Sequence, residues 1–143
     1  MENEKLDRQG IMEVLPHRDA MLLLDTAELL PDGTAKGSYR VRGDEWFLQG
    51  HFPGNPVVPG VIQCEIIAQA SCMLMKEAMA GATPYYAGIN NVRFRRPVRP
   101  GETIEVHSEL VRSKMNLYVV KAEATVEGQV CASGEFIFMI ARA

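Results

Sequence analysis

A helix that is apolar on nearly every face is the feature that most constrains the fold of this chain. Residues 60–80 are rich in Ile, Ala, Met and Cys, with no proline and no glycine after the first position. This composition predicts a helix of roughly 20 residues. Such a helix must be enclosed by other structure or span a membrane, and Gln63, Glu65 and Gln69 argue against the membrane. We therefore expect an enclosed helix and no membrane insertion.

The rest of the chain supplies the strands that could enclose it. The Asp-Gly pair of "PDG" separates the extended segments 21–30 and 34–42, which predicts a hairpin. Alternating or β-rich patterns predict further strands over 85–96, 104–112, 117–126 and 130–141, and "VEGQV" turns the last two back on each other. Strands in hairpin succession favour an antiparallel sheet. We predict one α+β domain over residues 1–143, with a curved sheet against the long helix.

Two shorter segments complete this organisation. Residues 7–15 predict a helix that Asp7 caps and Pro16 ends, with Ile11 and Leu15 on its buried face. Residues 43–59 show little periodicity and much Gly and Pro, which predicts an ordered loop. The aromatic side chains expected to hold this loop together are those of Trp46, Phe47 and Phe52.

Charge and cysteine usage exclude several classes of protein. The formal net charge is −3, which gives no electrostatic reason to bind nucleic acid. The first ten residues are polar and of mixed charge, unlike a signal peptide. Cys64, Cys72 and Cys131 are odd in number, so we expect reduced, buried thiols in a cytoplasmic protein.

The stretch "GHFPGNPVVPG" at 50–60 places one histidine in an unusually stiff backbone. Its three prolines fix φ, and its glycines allow tight turns around His51. Rigid placement is what a catalytic base requires. The other two histidines have plainer interpretations. His17 after Pro16 predicts a local hydrogen-bonding role, and His107 lies on the polar face of a strand.

Glu65 lies fourteen residues after His51, inside the apolar helix. Buried carboxylates are uncommon unless they are paired or functional. A structural explanation is a partly exposed residue, or one bonded to Gln69 at i+4. The helix begins at Gly60, so the amides of Gly60 and Val61 are unpaired donors that could hold an oxyanion or could simply reflect helix initiation.

Three stretches of this sequence together resemble a known family. These are "LPHR", "FLQGHFPGNPVVPGVIQCEIIAQA" and "GINNVRFRRPVRPGETI". They resemble the 3-hydroxyacyl-acyl-carrier-protein dehydratases of FabZ type, and the resemblance covers nearly the whole chain. It implies the hot-dog fold, a curved antiparallel sheet wrapped around one long helix.

The resemblance also implies a shared active site. It implies a homodimer, with three dimers forming a hexamer, in which His51 of one subunit meets Glu65 of its partner. The implied reaction removes water from a (3R)-3-hydroxyacyl thioester, carried on the phosphopantetheine of an acyl carrier protein, to give the trans-2-enoyl thioester. His51 would take the α-proton, Glu65 would protonate the leaving hydroxyl, and Gly60 would bind the thioester oxygen. No metal or organic cofactor is implied.

Two further groups of residues are expected to handle the substrate. Candidates for an apolar acyl tunnel are Phe52, Ile62, Ile66, Gln69, Met73, Met75, Met79, Tyr85 and Tyr86, although methionine at helical spacing also fills cores. Candidates for docking the acidic carrier are Arg93, Arg95, Arg96 and Arg99, for which a solvated basic edge is the competing interpretation.

The sequence departs from the family pattern beside these motifs. Asp19, Ala20 and Met21 follow "PHR" where the family has an aromatic, Pro and Phe, and Trp46 replaces a proline before Phe47. Gln63 and Cys64 stand where the family is aliphatic. These departures leave chain-length preference open, as well as a role in a secondary pathway. A same-fold acyl thioesterase and a non-catalytic acyl-binding module also stay open. Glu65 argues against the isomerising FabA type, which has Asp there.

Overall fold

The computed structural model describes residues 4–142. Its helices and strands, in chain order, are β1 (Glu4–Leu6), α1 (Arg8–Val14), β2 (Thr26–Leu29), β3 (Ala35–Arg40), α2 (Gly60–Ser71), β4 (Ala82–Phe94), β5 (Thr103–Lys114), β6 (Leu117–Val126) and β7 (Gln129–Arg142). Residues 1–3 and Ala143, which belong to the domain predicted over 1–143, lie outside the described part.

All seven strands form one antiparallel sheet in the order β1-β2-β3-β5-β6-β7-β4. The two predicted hairpins are confirmed: β2 pairs with β3 across the turn at 31–33, and β6 pairs with β7 across Glu127 and Gly128. Both Glu127 and Gly128 have positive φ, as a two-residue hairpin turn requires. The structure therefore has the α+β layers that the hairpin pattern predicts.

The sheet wraps around α2, which packs against β3, β5, β6 and β7. Nine of its twelve residues are buried, so the predicted enclosure is confirmed. Close approach to β3 depends on Gly37, because a Cβ there would lie 2.7 Å from the Cβ of Ala70. This is the hot-dog arrangement. In the described part of the chain, no helix is both long enough and apolar enough to span a membrane.

The long helix is shorter than predicted. The α-helix ends at Ser71, and the chain continues as a 3-10 turn over Cys72–Met75 and then as irregular turns to Gly81. At this transition the hydroxyl of Ser71 donates to the carbonyl of Ile67 at 2.7 Å, a side-chain bond that competes with regular helix hydrogen bonding. Burial of Met73, Met75 and Met79 continues the apolar pattern without continuing the helix.

The shorter predicted segments are mostly confirmed. Asp7 caps α1 by accepting a bond from the Gly10 amide at 2.9 Å, and Leu15 ends the helix before Pro16. All three cysteines are free and buried. The aromatic cluster expected to hold the loop 43–59 is only partly present. Trp46 and Phe47 meet edge to face, but Phe52 is half-exposed and stacks on His51 instead, at 4.3 Å between ring centroids.

Candidate active site

His51 lies in a loop that orients its imidazole ring. Nδ1 is 3.1 Å from the carbonyl oxygen of Val57, an atom that can only accept, so Nδ1 carries the proton. Nε2 is therefore the unprotonated nitrogen of the neutral ring and is available as a base. The backbone of the same two residues is also joined, since the Val57 amide donates to the His51 carbonyl at 2.8 Å.

The loop around His51 is held by its own backbone hydrogen bonds and by one bond to the segment that connects β4 and β5. Phe52 and Asn55 exchange backbone hydrogen bonds of 3.1 and 2.9 Å, and Val58 donates to the carbonyl of Val98 at 2.8 Å. Gly54 has a φ of +71°, a conformation that favours glycine. The peptide bond between His51 and Phe52 is cis. The stiffness expected from the Gly and Pro spacing is thus present as a hydrogen-bonded turn.

Glu65 faces a small pocket at the side of α2. Its side chain is 19% exposed, and its Oε2 atom accepts from the amide nitrogen of Gln69 at 2.9 Å. The Nε2 atom of His17 lies 3.3 Å from the same oxygen. The pocket is lined by His17, Glu65, Ala68, Gln69, Cys72, Pro84, Tyr85, Tyr86 and Phe138. The i+4 bond between Glu65 and Gln69, which the sequence left open, is therefore present.

Gln69 is itself fixed by the segment that precedes β2. Its Oε1 accepts from the amide of Leu23 at 2.8 Å, and its Nε2 donates to the carbonyl of Met21 at 2.7 Å. The Leu23 donor and the Met21 acceptor determine which end of the amide is nitrogen. With its side chain buried and its amide fully used, Gln69 presents a fixed N–H donor to Glu65.

The local role predicted for His17 is wrong, because its polar contact is with Glu65, forty-eight positions along the chain. The hydrogen bonds of Gln69 to Met21 and Leu23 hold the segment after Pro16 against α2, which carries His17 to the carboxylate. No periodicity in the sequence signals this contact. The one available signal is the "LPHR" motif, which supported the family resemblance but no role for its histidine. His107, by contrast, is exposed on its strand as predicted.

Two titratable groups beside Glu65, Tyr86 and Cys72, stay neutral near pH 7. Burial, followed by the nearby charge of Glu65, raises the pKa of Tyr86 well above its usual range. The same two causes, in the same order, raise the pKa of Cys72 to about 12. The Tyr86 hydroxyl donates to the carbonyl of Cys64 at 2.9 Å. These groups contribute shape and low polarity to the pocket, and no charge.

The start of α2 offers two backbone donors. The amides of Ile62 and Gln63 bond to the Pro59 carbonyl at 2.9 and 3.1 Å. Within residues 4–142, the amides of Gly60 and Val61 have no hydrogen-bond partner. A Cβ on Gly60 would lie 3.0 Å from the ring of Phe94, so a larger residue would displace that ring from the beginning of the helix.

The remaining predicted site residues fall into two environments. Tyr85 and Tyr86 line the pocket beside Glu65, whereas Ile62, Ile66 and Met73 are buried in the core, as are Met75 and Met79. Of the four arginines, Arg93 and Arg95 are exposed, Arg96 pairs with Glu102 at 2.6 Å, and Arg99 bonds to the side chain of Asn55. Arg95 and Arg96 also line a cavity of about 390 Å³ next to Gly60.

The protomer does not join the predicted base to the predicted acid. Among the described residues, the polar contacts of the His51 ring and of the Glu65 carboxylate do not include each other. The family resemblance implies that they meet across a dimer, so this separation agrees with that expectation without testing it.

The likeness to known proteins covers almost the whole chain. The model of the FabA-like domain matches residues 15–135. The chain is 45% identical over 137 residues to the 3-hydroxyacyl-[acyl-carrier-protein] dehydratase FabZ of Caldicellulosiruptor saccharolyticus, covering 94% of this chain and 98% of that protein. It is 43% identical to the FabZ of Oenococcus oeni over 133 residues, which covers 91% of this chain and 96% of that one.

Solved structures support the fold. The dehydratase heterocomplex ApeI:P from Xenorhabdus doucetiae aligns with a TM-score of 0.78 at 20% identity, covering 90% of this chain and 89% of that one. A putative thioesterase from Ralstonia eutropha JMP134 aligns with a TM-score of 0.60 at 22% identity, over 75% of this chain and 76% of that one. At these identities the structures show the fold alone, whereas the curated relatives show the reaction class. The chain belongs to the FabZ family of 3-hydroxyacyl-[acyl-carrier-protein] dehydratases.

Proposed function

We propose that His51 and Glu65 are the base and the acid of the dehydration that this family catalyses, acting on a (3R)-3-hydroxyacyl thioester of an acyl carrier protein. The observation that carries the proposal is the orientation of His51. Its Nδ1 is committed to the Val57 carbonyl, which leaves Nε2 free to accept a proton. A neutral imidazole with a free ring nitrogen suits proton abstraction near neutral pH.

In the proposed reaction His51 accepts one proton and Glu65 donates another. Nε2 of His51 takes the proton from C2, and the electrons of that C–H bond form the double bond between C2 and C3. The C3–O bond breaks with its electron pair on oxygen, which receives the Glu65 proton and departs as water. Transfer of the proton from His51 to the Glu65 carboxylate, directly or through water, resets the site. The trans-2-enoyl thioester is the product.

Charge that develops on the thioester oxygen needs a donor. The free amides of Gly60 and Val61 at the positive end of α2 suit this role, since oriented backbone donors stabilise an oxyanion without reorganising. The proposal assigns every step to the side chains of His51 and Glu65 and to these backbone donors, and none to a metal or organic cofactor.

The proposed site is shared between two subunits. Glu65 and His51 do not meet in one described protomer, and β4 forms one edge of the sheet, with Tyr85, Ile89 and Phe94 exposed along it. A second copy that covers this edge would complete two equivalent sites by two-fold symmetry. The proposal also includes assembly of three such dimers into a hexamer and a location in the cytoplasm.

The carrier protein and the acyl chain would use the remaining candidates. Arg93 and Arg95 are exposed and would attract an acidic carrier, and Arg95 also lines the cavity beside Gly60. Arg96 and Arg99 are already engaged with Glu102 and Asn55, so we expect them to contribute less. Tyr85 and Tyr86 flank the pocket that the acyl chain would enter. Phe52, Ile62, Ile66, Gln69 and Met73 stay candidates for its wall.

The proposal is tested by enoyl formation from 3-hydroxyacyl carrier-protein substrates of several chain lengths. We expect His51→Ala and Glu65→Gln each to lower kcat by at least ~100-fold, the lower end of a general acid or base contribution. Undiminished turnover in either variant would refute the assignment. Release of free carrier thiol without enoyl product would instead indicate a thioesterase.

Mixing the two variants tests the shared site. A heterodimer of His51→Ala and Glu65→Gln subunits contains one site with both catalytic residues intact, so exchange should restore part of the activity. Absence of recovery after confirmed subunit exchange would show that each protomer supplies its own pair. Homodimers of each variant, taken through the same exchange, are the control.

A further inference from the structure

We propose that His17 is a positioning residue for Glu65, and that it acts as a neutral donor which assigns different tasks to the two carboxylate oxygens. The inference depends on the proposed role of Glu65 as the acid. Its basis is the convergence of two side chains on one atom. Oε2 of Glu65 lies 2.9 Å from the amide nitrogen of Gln69 and 3.3 Å from Nε2 of His17.

The amide of Gln69 cannot turn to offer an oxygen instead. Its Oε1 is occupied by the Leu23 amide and its Nε2 already faces the Met21 carbonyl, so its remaining N–H points at Oε2. Oε2 therefore receives at least one fixed donor whatever His17 does.

The protonation of His17 follows from its other nitrogen. Nδ1 is buried and has no hydrogen-bond partner among the described residues. A proton on Nδ1 would be a donor shielded from bulk solvent and without a protein acceptor among residues 4–142, which is costly. A proton on Nε2 instead donates to the Glu65 carboxylate, the stronger of the available bonds. The geometry thus selects the neutral tautomer with its proton on Nε2.

With donors from His17 and Gln69 on Oε2, the acidic proton belongs on Oε1. A proton on Oε2 would face two N–H groups, whereas Oε1 has no protein hydrogen-bond partner in residues 4–142. Oε1 is thus the oxygen that delivers the proton to the leaving hydroxyl. As it does so, negative charge develops on the carboxylate, and the donors on Oε2 stabilise that charge where it appears.

The surroundings of Glu65 add no competing charge. The titratable groups that line its pocket, besides His17, are Cys72, Tyr85 and Tyr86. Burial keeps the pKa of Cys72 and of Tyr86 high, so these two are neutral where the enzyme is assayed. A shift in the limb of the pH profile that Glu65 contributes would therefore not come from Cys72 or Tyr86.

The test compares two variants of matched shape. In His17→Gln an amide N–H replaces Nε2–H, and in His17→Met a chain of similar length offers no donor. We expect His17→Met to lower kcat about tenfold, as loss of a hydrogen bond to a charged group would, with KM changed less than about twofold. His17→Gln should keep kcat within about threefold of the unaltered enzyme.

The pH profile separates positioning from a merely structural role. Without the His17 donor the carboxylate of Glu65 is less stabilised, so the limb of the kcat profile that Glu65 contributes should move to higher pH in His17→Met and stay in place in His17→Gln. His107→Met, on the outer face of the sheet, should change neither kcat nor the profile. If His17→Met does not fold, His17→Asn, whose amide is too short to reach Oε2, replaces it.

A Glu65→Gln background keeps this inference distinct from the proposed function. If Glu65→Gln retains activity, the role of Glu65 is wrong. If Glu65→Gln is inactive but His17→Met keeps full kcat and an unshifted profile, only the role of His17 is refuted. We expect His17→Met to cost almost nothing further once Glu65 has been replaced, because it acts through that carboxylate. A full tenfold loss of kcat on adding His17→Met to Glu65→Gln would also refute the role of His17.

Discussion

The loop that carries His51 and the helix face that carries Glu65 hold their functional groups in different ways. His51 is oriented by Val57, six positions away, through bonds within one turn. Glu65 is oriented by His17 and by Gln69, which is in turn bonded to residues forty-six and forty-eight positions away. The proposed base thus depends on local backbone geometry and the proposed acid on contacts between distant segments, so different substitutions should disable them.

The largest expected effect is at Gln69. Gln69→Met removes a donor to Glu65 and leaves the buried Leu23 amide and the part-buried Met21 carbonyl without their side-chain partner. At about 1–3 kcal/mol for each unsatisfied group, the free energy of unfolding should fall by about 2–5 kcal/mol. Urea denaturation measures this loss. Gln129→Met, at an exposed position in β7, is the control, and a loss under about 1 kcal/mol at Gln69 would contradict the comparison.

A smaller effect is expected in the His51 loop. Gly54 has a φ of +71° and no atom within 4 Å of a built Cβ, so a side chain there meets strain and no clash. Gly54→Val should lower the free energy of unfolding by about 1–2 kcal/mol and lower kcat, because the turn that orients His51 is distorted. Gly54→Asn adds a Cβ but tolerates this conformation, so it should be milder. Equal losses in both variants would point to something other than backbone strain.

Glu45, near the start of the loop that carries His51, should make the free energy of unfolding depend on pH in the acid range. Burial raises the pKa of Glu45, but bonds from the Arg42 amide, the Tyr39 hydroxyl and the Gly43 amide outweigh burial and hold it below its usual value. A lowered folded-state pKa stabilises the protein above the unfolded value of about 4.5, and that contribution disappears as pH falls through the folded value.

We therefore expect the free energy of unfolding to fall below about pH 4.5, and Glu45→Gln to remove that part of the acid dependence. Denaturation curves between about pH 3 and 7 measure it. Other carboxylates titrate in the same range. The relevant quantity is therefore the difference in the free energy of unfolding between the unaltered protein and Glu45→Gln at each pH. Parallel pH curves would contradict the role of Glu45.

The smallest effect is expected at Asn55. Its side chain accepts a hydrogen bond from Arg99 on the exposed surface of the loop. Asn55→Ala should change the free energy of unfolding by less than about 1 kcal/mol and kcat by less than about threefold, because the backbone bonds to Phe52 persist. A larger loss of kcat would show that this distant contact, and not the local turn, orients His51.

The sequence predicted the elements whose causes are local. The hairpin at Asp32 and Gly33, the cap at Asp7 and the turn at Gly128 follow from residue chemistry within four positions, and all are present. The predicted end of α2 was wrong, because composition alone does not separate an α-helix from the buried 3-10 turn that follows Ser71. The predicted aromatic cluster was incomplete because side-chain direction in a loop depends on the fold of that loop.

By itself the sequence determined an enclosed helix, an antiparallel sheet, and a stiff loop with a histidine fourteen residues before a helical carboxylate. Periodicity, turn chemistry and a long spaced motif encode these features directly. Only the tertiary structure decided which oxygen of Glu65 is held and that His17 helps to hold it. The reason is that Gln69 and His17 reach the carboxylate through segments far apart in the chain, and contacts of that kind leave no periodic trace in the sequence.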